Sequence, residues 1–287
     1  MADFPLPGSA PAIVAVPAPG SGQGFWNGSS TAALDEDGSF VVAYRLRMGN
    51  TPESPAATIV ARSDDGETLT TVATLDKSQF DAMSMERPAL VRTDSGRWRL
   101  YTCCATKGSK HWWIDVLEAD DPEDFEDADP RTVFPGDDNW GVKDPIVHHA
   151  GSGWQAWICC HPLDEPDEED RMFTGYATSE DGLKWDWHGI VMSPRPGKWD
   201  ARGARLTTVL PDGRASYDGR ATKEENWFER TGLAKREGEA IVQFGDEPVS
   251  DARYLDVVPL PEGGYRIYYE ARLPDNSHEL RTERIRG

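Results

Sequence analysis

A glycine turn recurs five times along the chain at nearly constant spacing, and this repeat constrains the fold more than any other feature. The repeated glycines are Gly38, Gly96, Gly153, Gly213 and Gly264, at intervals of 58, 57, 60 and 51 residues. Each follows a short apolar segment and precedes an aromatic or apolar one, as in PALVRTDSGRWRLYTCC. Asp-Gly, Ser-Gly and Gly-Gly pairs favour the tight turn of a β-hairpin. Each repeat therefore predicts a pair of antiparallel strands.

Further strand-like segments complete each repeat. A third segment follows in every unit, as in HWWIDVLEADD and FTGYATSEDG, and three units add a fourth, LTTVATL, KWDWHGIV and EAIVQFG. Four antiparallel strands in about 50–60 residues form one blade of a β-propeller. The sequence thus predicts an all-β, five-bladed propeller that forms a single domain over residues 1–287. The expected blades span about 20–80, 81–135, 136–198, 199–248 and 249–287.

The last repeat ends after its third strand, whereas an unpaired strand-like segment stands near the start of the chain. This β-branched segment, Ile13-Val14-Ala15-Val16, lies between prolines. We expect residues 12–16 to supply the outer strand of blade five and to close the ring with main-chain hydrogen bonds. The alternative is a disordered, proline-rich leader.

Composition excludes several classes of partner. The chain has 30 basic and 50 acidic residues and a formal net charge of −20, which disfavours binding to nucleic acid or to an anionic membrane. No segment approaches the roughly 18 apolar residues of a membrane helix. The first residues lack the basic and apolar regions of a secretory signal, so we expect a cytoplasmic protein.

The cysteines form two adjacent pairs, Cys103-Cys104 and Cys159-Cys160. Neighbouring residues of a strand point to opposite faces, so each pair is expected to direct one thiol toward the axis and one away from it. Without CxxC spacing, free buried thiols are expected rather than a zinc site.

The first strands of propeller blades line the central channel, so the residues that precede them should meet at one mouth. These residues are Trp26, Asn27, Glu86, Arg87, Lys143, Asp144, Arg202, Arg205, Arg253, Tyr254 and Asp256. Charge concentrated at an axial mouth indicates a functional pocket, the alternative being an inert, water-filled channel. Trp26 and Trp140, with Trp199, precede inner strands and are candidates for stacking on a sugar ring.

Three segments carry a family resemblance: ERPALVRTDSGRWRLYT, VKDPIVHHAGSGWQAWI and YATSEDGLKWDWHGIV. They resemble the inner- and outer-strand motifs of five-bladed propeller glycosidases of families 43, 32, 62 and 130. That resemblance implies three axial carboxylates: a general base, a general acid, and one that tunes and orients the acid. By the same resemblance, Asp144 falls on the Asp-Pro position of blade three, and Glu86 falls at the start of blade two.

The chain departs from that pattern at two positions. Blade one has Trp26-Asn27-Gly28 where the family has Asp-Pro. Blade four has Arg202-Gly203-Ala204-Arg205, preceded by Asp200, where the family has Glu-Gly-Pro. We therefore expect either that Glu86, Asp200 or Asp256 takes over a missing role, or that the scaffold serves another reaction.

The predicted mouth also carries five cations, and arginine is suited to bidentate capture of carboxylate or phosphate. The cations are Arg87, Lys143, Arg202, Arg205 and Arg253. They indicate an anionic ligand such as a uronic acid. The alternative is that they neutralise the buried carboxylates.

These features support three hypotheses on function. The first is a glycoside hydrolase-like enzyme that acts on an anionic sugar through carboxylate acid/base catalysis. The second is a lyase, isomerase or cyclase that acts on an anionic small molecule in the same pocket, and the third is a non-catalytic carbohydrate-binding propeller. We expect a small-molecule or oligosaccharide ligand and no cofactor. No ligand-spaced motif supports a metal, although carboxylates in the channel could hold calcium.

Overall fold

The computed structural model describes residues 4–151 and 153–287 and contains four-stranded antiparallel sheets. Blade one consists of β2 (Phe25–Leu34), β3 (Phe40–Met48), β4 (Ala56–Ser63) and β5 (Thr70–Asp76). Blade two consists of β6 (Ala89–Arg92), β7 (Trp98–Ala105), β8 (Trp112–Ala119) and β9 (Arg131–Phe134). Short 3-10 helices at Lys77–Phe80 and Pro122–Asp127 follow β5 and β8.

The remaining blades repeat this order. Blade three consists of β10 (Trp140–Ala150), β11 (Gly153–Pro162), β12 (Phe173–Ser179) and β13 (Asp186–Met192). Blade four consists of β14 (Gly203–Val209), β15 (Arg214–Arg220), β16 (Arg230–Glu237) and β17 (Ala240–Phe244). Blade five contains β18 (Arg253–Pro259), β19 (Tyr265–Arg272) and β20 (His278–Ile285). The predicted all-β propeller of four-stranded blades is confirmed.

The fourth strand of blade five comes from the other end of the chain, as predicted. Strand β1 (Ile13–Val16) pairs antiparallel with β20, with Ile13 opposite Thr282. The backbone N–H groups of Gly8 and Ala10 also donate to the carboxylate of Glu283, at 2.8 and 2.9 Å. The leader is therefore bound to the last strand.

The core is divided into five apolar clusters, one between each pair of neighbouring blades. All four cysteines are free and buried. Cys104 packs in the cluster between blades one and two, and Cys103 and Cys160 pack in the cluster between blades two and three. The thiols of Cys103 and Cys159 also contact polar groups, the carbonyl of Arg87 and the imidazole of His161. Blade packing thus leaves the axial mouth to polar residues.

Candidate functional site

A cavity of about 830 Å³ opens where the inner strands begin. Each blade contributes a charged or polar side chain to its wall: Arg47, Glu86, Lys143, Arg205 and Tyr254, in blade order. We call this cavity the axial pocket. Most of its lining residues carry ionisable side chains, which disfavours a purely apolar ligand.

Irregular backbone in the inner strands directs the side chains of Asp144 and Tyr254 to the axis. Asp144 and Tyr254 have φ angles of 50°, as does Ser29 at 52°, and each lies at a break in strand register. A left-handed backbone is unfavourable for a bulky residue such as tyrosine, by about 1–3 kcal/mol, and it concentrates at functional sites. The bulges therefore give the axis two side chains that regular strands would direct elsewhere.

Tyr254 lies at the centre of the pocket floor. Its hydroxyl accepts a hydrogen bond from Arg205 Nη1 at 2.7 Å, and the Arg205 guanidinium lies 3.8 Å from the ring centroid. The hydroxyl can donate to Asp144 Oδ2 at 3.4 Å or to Glu86 Oε2 at 3.5 Å. Burial raises the pKa of this phenol well above its ordinary value despite the opposing effect of Arg205. Tyr254 therefore carries its proton at neutral pH and links two carboxylates.

Glu86 faces the pocket as a permanently ionised carboxylate. Its Oε2 accepts a very short hydrogen bond from Arg45 Nη1. Burial opposes ionisation, but Arg45 and then Lys143 outweigh it and lower the pKa of Glu86 to about 2. At neutral pH such a group can act as a base or a nucleophile, but it has no proton to give.

A chain of buried ion pairs holds Arg45 in place. Arg45 Nη2 donates to Glu270 Oε2 at 2.7 Å, and Arg253 lies 3.2 Å from Glu270 Oε1. Arg253 Nε also lies 3.0 Å from Glu229 Oε2. The two groups form an ion pair, but the N–H group does not point at the oxygen and makes no hydrogen bond to it. These cations are thus neutralised within the protein and have little charge left for a ligand.

Two other cations are far less satisfied. The Lys143 ammonium lies 3.9 Å from Asp144 Oδ2 and 4.8 Å from the Trp112 ring centroid, without a hydrogen bond to any described residue. Arg47 Nε donates to Gly49 O. Arg47 Nη1 lies 3.8 Å from Glu86, beyond hydrogen-bond distance, so the terminal N–H groups of Arg47 make no hydrogen bond to a described residue. Both side chains are mostly buried, at 12% and 17% exposure. They are suited to an anionic group in the pocket.

Glu169 differs from the other carboxylates of the pocket wall. Glu86 is paired with Arg45, Glu229 with Arg253 and Asp170 with Arg202. Asp167 lies 3.6 Å from Lys223. Among the described residues, the Glu169 side chain has no ion pair or hydrogen bond, and it is half-buried. It is the one wall carboxyl that lacks an ion-pair partner among the described residues.

His161 and the axial thiols support the floor in uncharged form. His161 Nδ1 donates to the Glu169 carbonyl at 3.0 Å, and burial lowers the pKa of this imidazole well below its ordinary range. The Cys103 thiol donates to Arg87 O at 2.9 Å and accepts from the Asp144 N–H at 3.0 Å. Burial raises the pKa of Cys103 and Cys159, so neither thiol is a nucleophile at neutral pH.

The structure brings six of the predicted site residues together. Glu86, Lys143, Arg205, Arg253 and Tyr254 line the axial pocket. Asp144 lies directly behind the wall, where its side chain has no exposed surface and accepts from Arg205 Nη1 at 3.0 Å.

Arg87 and Asp256 lie deeper, below the pocket. Arg87 Nη2 donates to Asp256 Oδ1 at 3.2 Å, and the other guanidinium nitrogens donate to Ser30 O and Thr207 O, at 3.1 and 2.8 Å. These acceptors belong to blades one, four and five, so Arg87 spans the axis. Burial raises the pKa of Asp256 to about 6, against the effect of Arg87.

The other predicted site residues lie outside the pocket wall. Both oxygens of Asp200 accept from Arg195 Nε, and Tyr217 donates to Asp200 Oδ2, which fixes this acid beneath blade four rather than at the axis. Arg202 pairs with Asp170 at 2.7 Å. The three remaining residues are engaged by the blades: Trp26 stacks on His278, Asn27 donates to Pro17 O, and Trp140 packs on Phe173. Trp112 and Trp227 are the tryptophans of the wall.

Arg47 of the pocket wall and two carboxylates that pair with wall arginines escaped the sequence analysis because they end second strands. In an antiparallel pair the second strand ends where the first begins, so Arg47 lies opposite Trp26, Asp218 opposite Arg205 and Glu270 opposite Arg253. Glu270 supplies charge near the position of the absent blade-one acid, because a Cβ on Gly28 would lie 2.4 Å from its Oε2. The alternation of polar residues at these strand ends could have identified them, whereas nothing marked Glu169 in its loop.

Comparison with known proteins places the fold. No protein-family profile and no curated sequence matches the chain. Among solved structures, a β-1,2-mannobiose phosphorylase from Listeria innocua matches with a TM-score of 0.64 and 12% identity over 99% of this chain and 93% of that one. The chain has the fold of the five-bladed propeller glycosidases and glycoside phosphorylases.

Two further solved structures agree with this fold. An α-L-arabinofuranosidase from Lactobacillus brevis matches with a TM-score of 0.64 and 15% identity over 90% of each chain. A sucrose-6-phosphate hydrolase from Lactobacillus gasseri matches with a TM-score of 0.70 and 10% identity over 98% of this chain and 62% of that one. The predicted likeness in fold to the five-bladed propeller glycosidases is confirmed.

The described residues contain neither a membrane-spanning helix nor a cluster of metal ligands. No helix among them is long and apolar enough to cross a membrane. Across residues 4–151 and 153–287, no group of three or more His, Cys, Asp or Glu side chains could hold a metal ion.

Proposed function

We propose that the protein cleaves a glycosidic bond next to an anionic sugar bound in the axial pocket. The observation that carries the proposal is the pairing of an ionised carboxylate, Glu86, with two incompletely satisfied cations, Lys143 and Arg47, in one cavity. A carboxylate or phosphate group on the ligand would supply the hydrogen-bond acceptors that these cations lack.

The two carboxyl groups needed for glycoside cleavage differ in environment, as the chemistry requires. Glu86 acts as the nucleophile or as the base that activates water, because Arg45 keeps it ionised. We assign the general acid to Glu169, which faces the same cavity and is the wall carboxyl without an ion-pair partner among the described residues. It protonates the oxygen of the leaving group as the bond breaks.

Asp144 and Tyr254 serve as positioning groups. Asp144 cannot touch a ligand in this arrangement, since its side chain has no exposed surface. Its link to Glu86 runs through the Tyr254 hydroxyl. That hydroxyl compensates negative charge on Glu86 and keeps its orientation fixed through the reaction.

Leaving-group dependence tests the assignment of acid and base. The assay uses 4-nitrophenyl glycosides of neutral hexoses and of uronic acids, together with disaccharides of the same sugars. Glu86→Gln should lower kcat/KM by about 10²–10⁴-fold on every cleaved substrate. Glu169→Gln should do so only on disaccharides, because the nitrophenolate leaves without protonation. Glu165→Gln, an exposed residue of the same loop, is the matched control.

Substrate charge tests the cation pair. Lys143→Met should lower kcat/KM on uronides by about 10- to 100-fold, the value of a charge-assisted hydrogen bond, and leave neutral glycosides nearly unchanged. Cleavage in ¹⁸O-labelled water should place the label in the sugar product. Product that forms without labelled oxygen and without added phosphate would instead favour the lyase class. If both Glu86→Gln and Glu169→Gln keep the turnover of the wild type, the proposed site is refuted.

A further inference from the structure

A second cavity opens beside the axial pocket, between the loops of blades two and three. Its volume is about 520 Å³, and its wall includes Thr106, His111, Asp138 and Leu163. Three residues, Ser109, Lys110 and Glu169, line both cavities. The two spaces are therefore continuous across a shared rim.

A ligand in the axial pocket cannot continue along the axis beneath the pocket floor. Arg87 crosses the axis below it and is bonded to blades one, four and five, with 2% of its surface exposed. A ligand too long for the axial pocket must therefore leave it through its mouth, beside the second cavity.

The second cavity has a fixed, polar floor. His111 Nε2 donates to Pro135 O at 2.8 Å, and its Nδ1 accepts from the Thr106 hydroxyl at 2.7 Å. Asp137 Oδ1 accepts from the N–H groups of Asn139 and Trp140, both at 2.8 Å. Because these bonds tie the blade-two hairpin to the next loop, the surface is formed before a ligand arrives.

Free hydrogen-bonding groups remain above this floor. Among the described residues, the side chains of Lys110, Asp138 and Glu169 have no hydrogen bond or ion pair of their own. Both donors and acceptors are thus available, as a hydroxyl-rich ligand requires. We propose that the second cavity binds the sugar unit attached to the one in the axial pocket, so that the cleaved bond lies at the shared rim beside Glu169.

The inference rests on the proposed function and names its substrate class: an oligosaccharide of at least two units, whose anionic end unit enters the axial pocket first. The acid that both cavities share then stands next to the departing oxygen. After cleavage, the leaving sugar occupies the second cavity, which opens to solvent, and can depart independently of the anionic unit.

The test fills the second cavity without touching the first. Asp138 lines only the second cavity, is exposed and has no hydrogen bond or ion pair of its side chain among the described residues, so Asp138→Trp should fold normally. The probes are a disaccharide, whose end sugar is that of the 4-nitrophenyl glycoside that the wild type cleaves fastest, and that end sugar alone. Asp164→Trp, at an exposed neighbouring position outside both walls, is the matched control.

Asp138→Trp should lower kcat/KM on the disaccharide at least 10-fold, whereas Asp164→Trp should leave it unchanged. In calorimetry on the Glu86→Gln variant, Asp138→Trp should weaken binding of the disaccharide at least 10-fold and change that of the end sugar less than 2-fold. An equal effect on both probes, or no effect on either, overturns the role proposed for the second cavity but does not contradict the proposed function. A wild type that neither binds nor cleaves either probe overturns both proposals.

Discussion

Replacing Arg87 with methionine tests whether the residue that spans the axis stabilises the propeller. Methionine keeps the unbranched stem but removes the guanidinium, which donates to Ser30 O, Thr207 O and Asp256 Oδ1. These three acceptors come from three different blades, so the substitution cuts every side-chain hydrogen bond that Arg87 makes across the axis.

The expected cost follows from what remains buried. Two carbonyl groups lose a donor, at about 1 kcal/mol each, and a buried ion pair loses its cation, at about 3–5 kcal/mol. Asp256 relieves part of the loss by taking up a proton, since its pKa is already raised to about 6. We expect the variant to lose about 3–5 kcal/mol at pH 7, and less at pH 5, where Asp256 is protonated in both proteins.

Thermal unfolding monitored by tryptophan fluorescence measures the loss. At about 2 °C per kcal/mol for a chain of this size, Tm should fall by roughly 6–10 °C at pH 7. Arg62→Met is the matched control, because Arg62 pairs with Asp35, Asp121 and Glu123 near the surface and should cost no more than about 1 kcal/mol. A drop in Tm for Arg87→Met no larger than for Arg62→Met would refute the reasoning.

Three further substitutions probe the site and its support. Tyr254→Phe should lower kcat about 10²-fold with little change in Tm. In the wild type the Tyr217 hydroxyl donates to the arginine-paired Asp200 outside the pocket, so Tyr217→Phe, the control, should lower only Tm. Equal effects of the two substitutions on kcat would contradict this. The raised pKa of Asp256 means that its protonated form stabilises the folded state below pH 4, and this contribution is lost as pH rises through about 6. The free energy of unfolding of Asp256→Asn, relative to that of the wild type, should therefore rise between pH 4.5 and 7 by up to about 3 kcal/mol, and a pH-independent difference would contradict this. Glu229→Gln removes the buried counter-charge of two arginines and should cost about 3–5 kcal/mol in urea unfolding, and a loss below about 1 kcal/mol would show that the ion-pair chain is dispensable.

The fold could be predicted because local signals repeat. Four of the five repeated glycines, including Gly96 and Gly213 at 86° and 83°, have a left-handed φ that glycine adopts readily, whereas in blade three Gly151 takes this role and Gly153 begins the next strand. The same turns set the strand register of each blade, so the five repeats were readable without knowledge of tertiary contacts. Even the pairing of Ile13–Val16 with the last strand followed from counting strands.

The site was predictable only where inner strands converge. Glu86, Lys143 and Tyr254 were identified because topology places the start of every inner strand at one mouth. Asp200 lies outside the pocket wall because a short turn brings Arg195 onto its carboxylate, a contact that no strand pattern reveals. Glu169 lies in a loop without periodicity, and its lack of a partner is a three-dimensional property.

The strand borrowed by blade five has a consequence for how the molecule assembles. The contact between Gly8 and Glu283 joins residues 275 positions apart, so blade five forms only after a very long loop has closed. Loop closure of this kind costs entropy before any contact repays it, and non-local pairing slows folding. The seam between the two chain ends should therefore be the last part of the ring to form and the first to open, which makes the leader sequence a determinant of the unfolding rate.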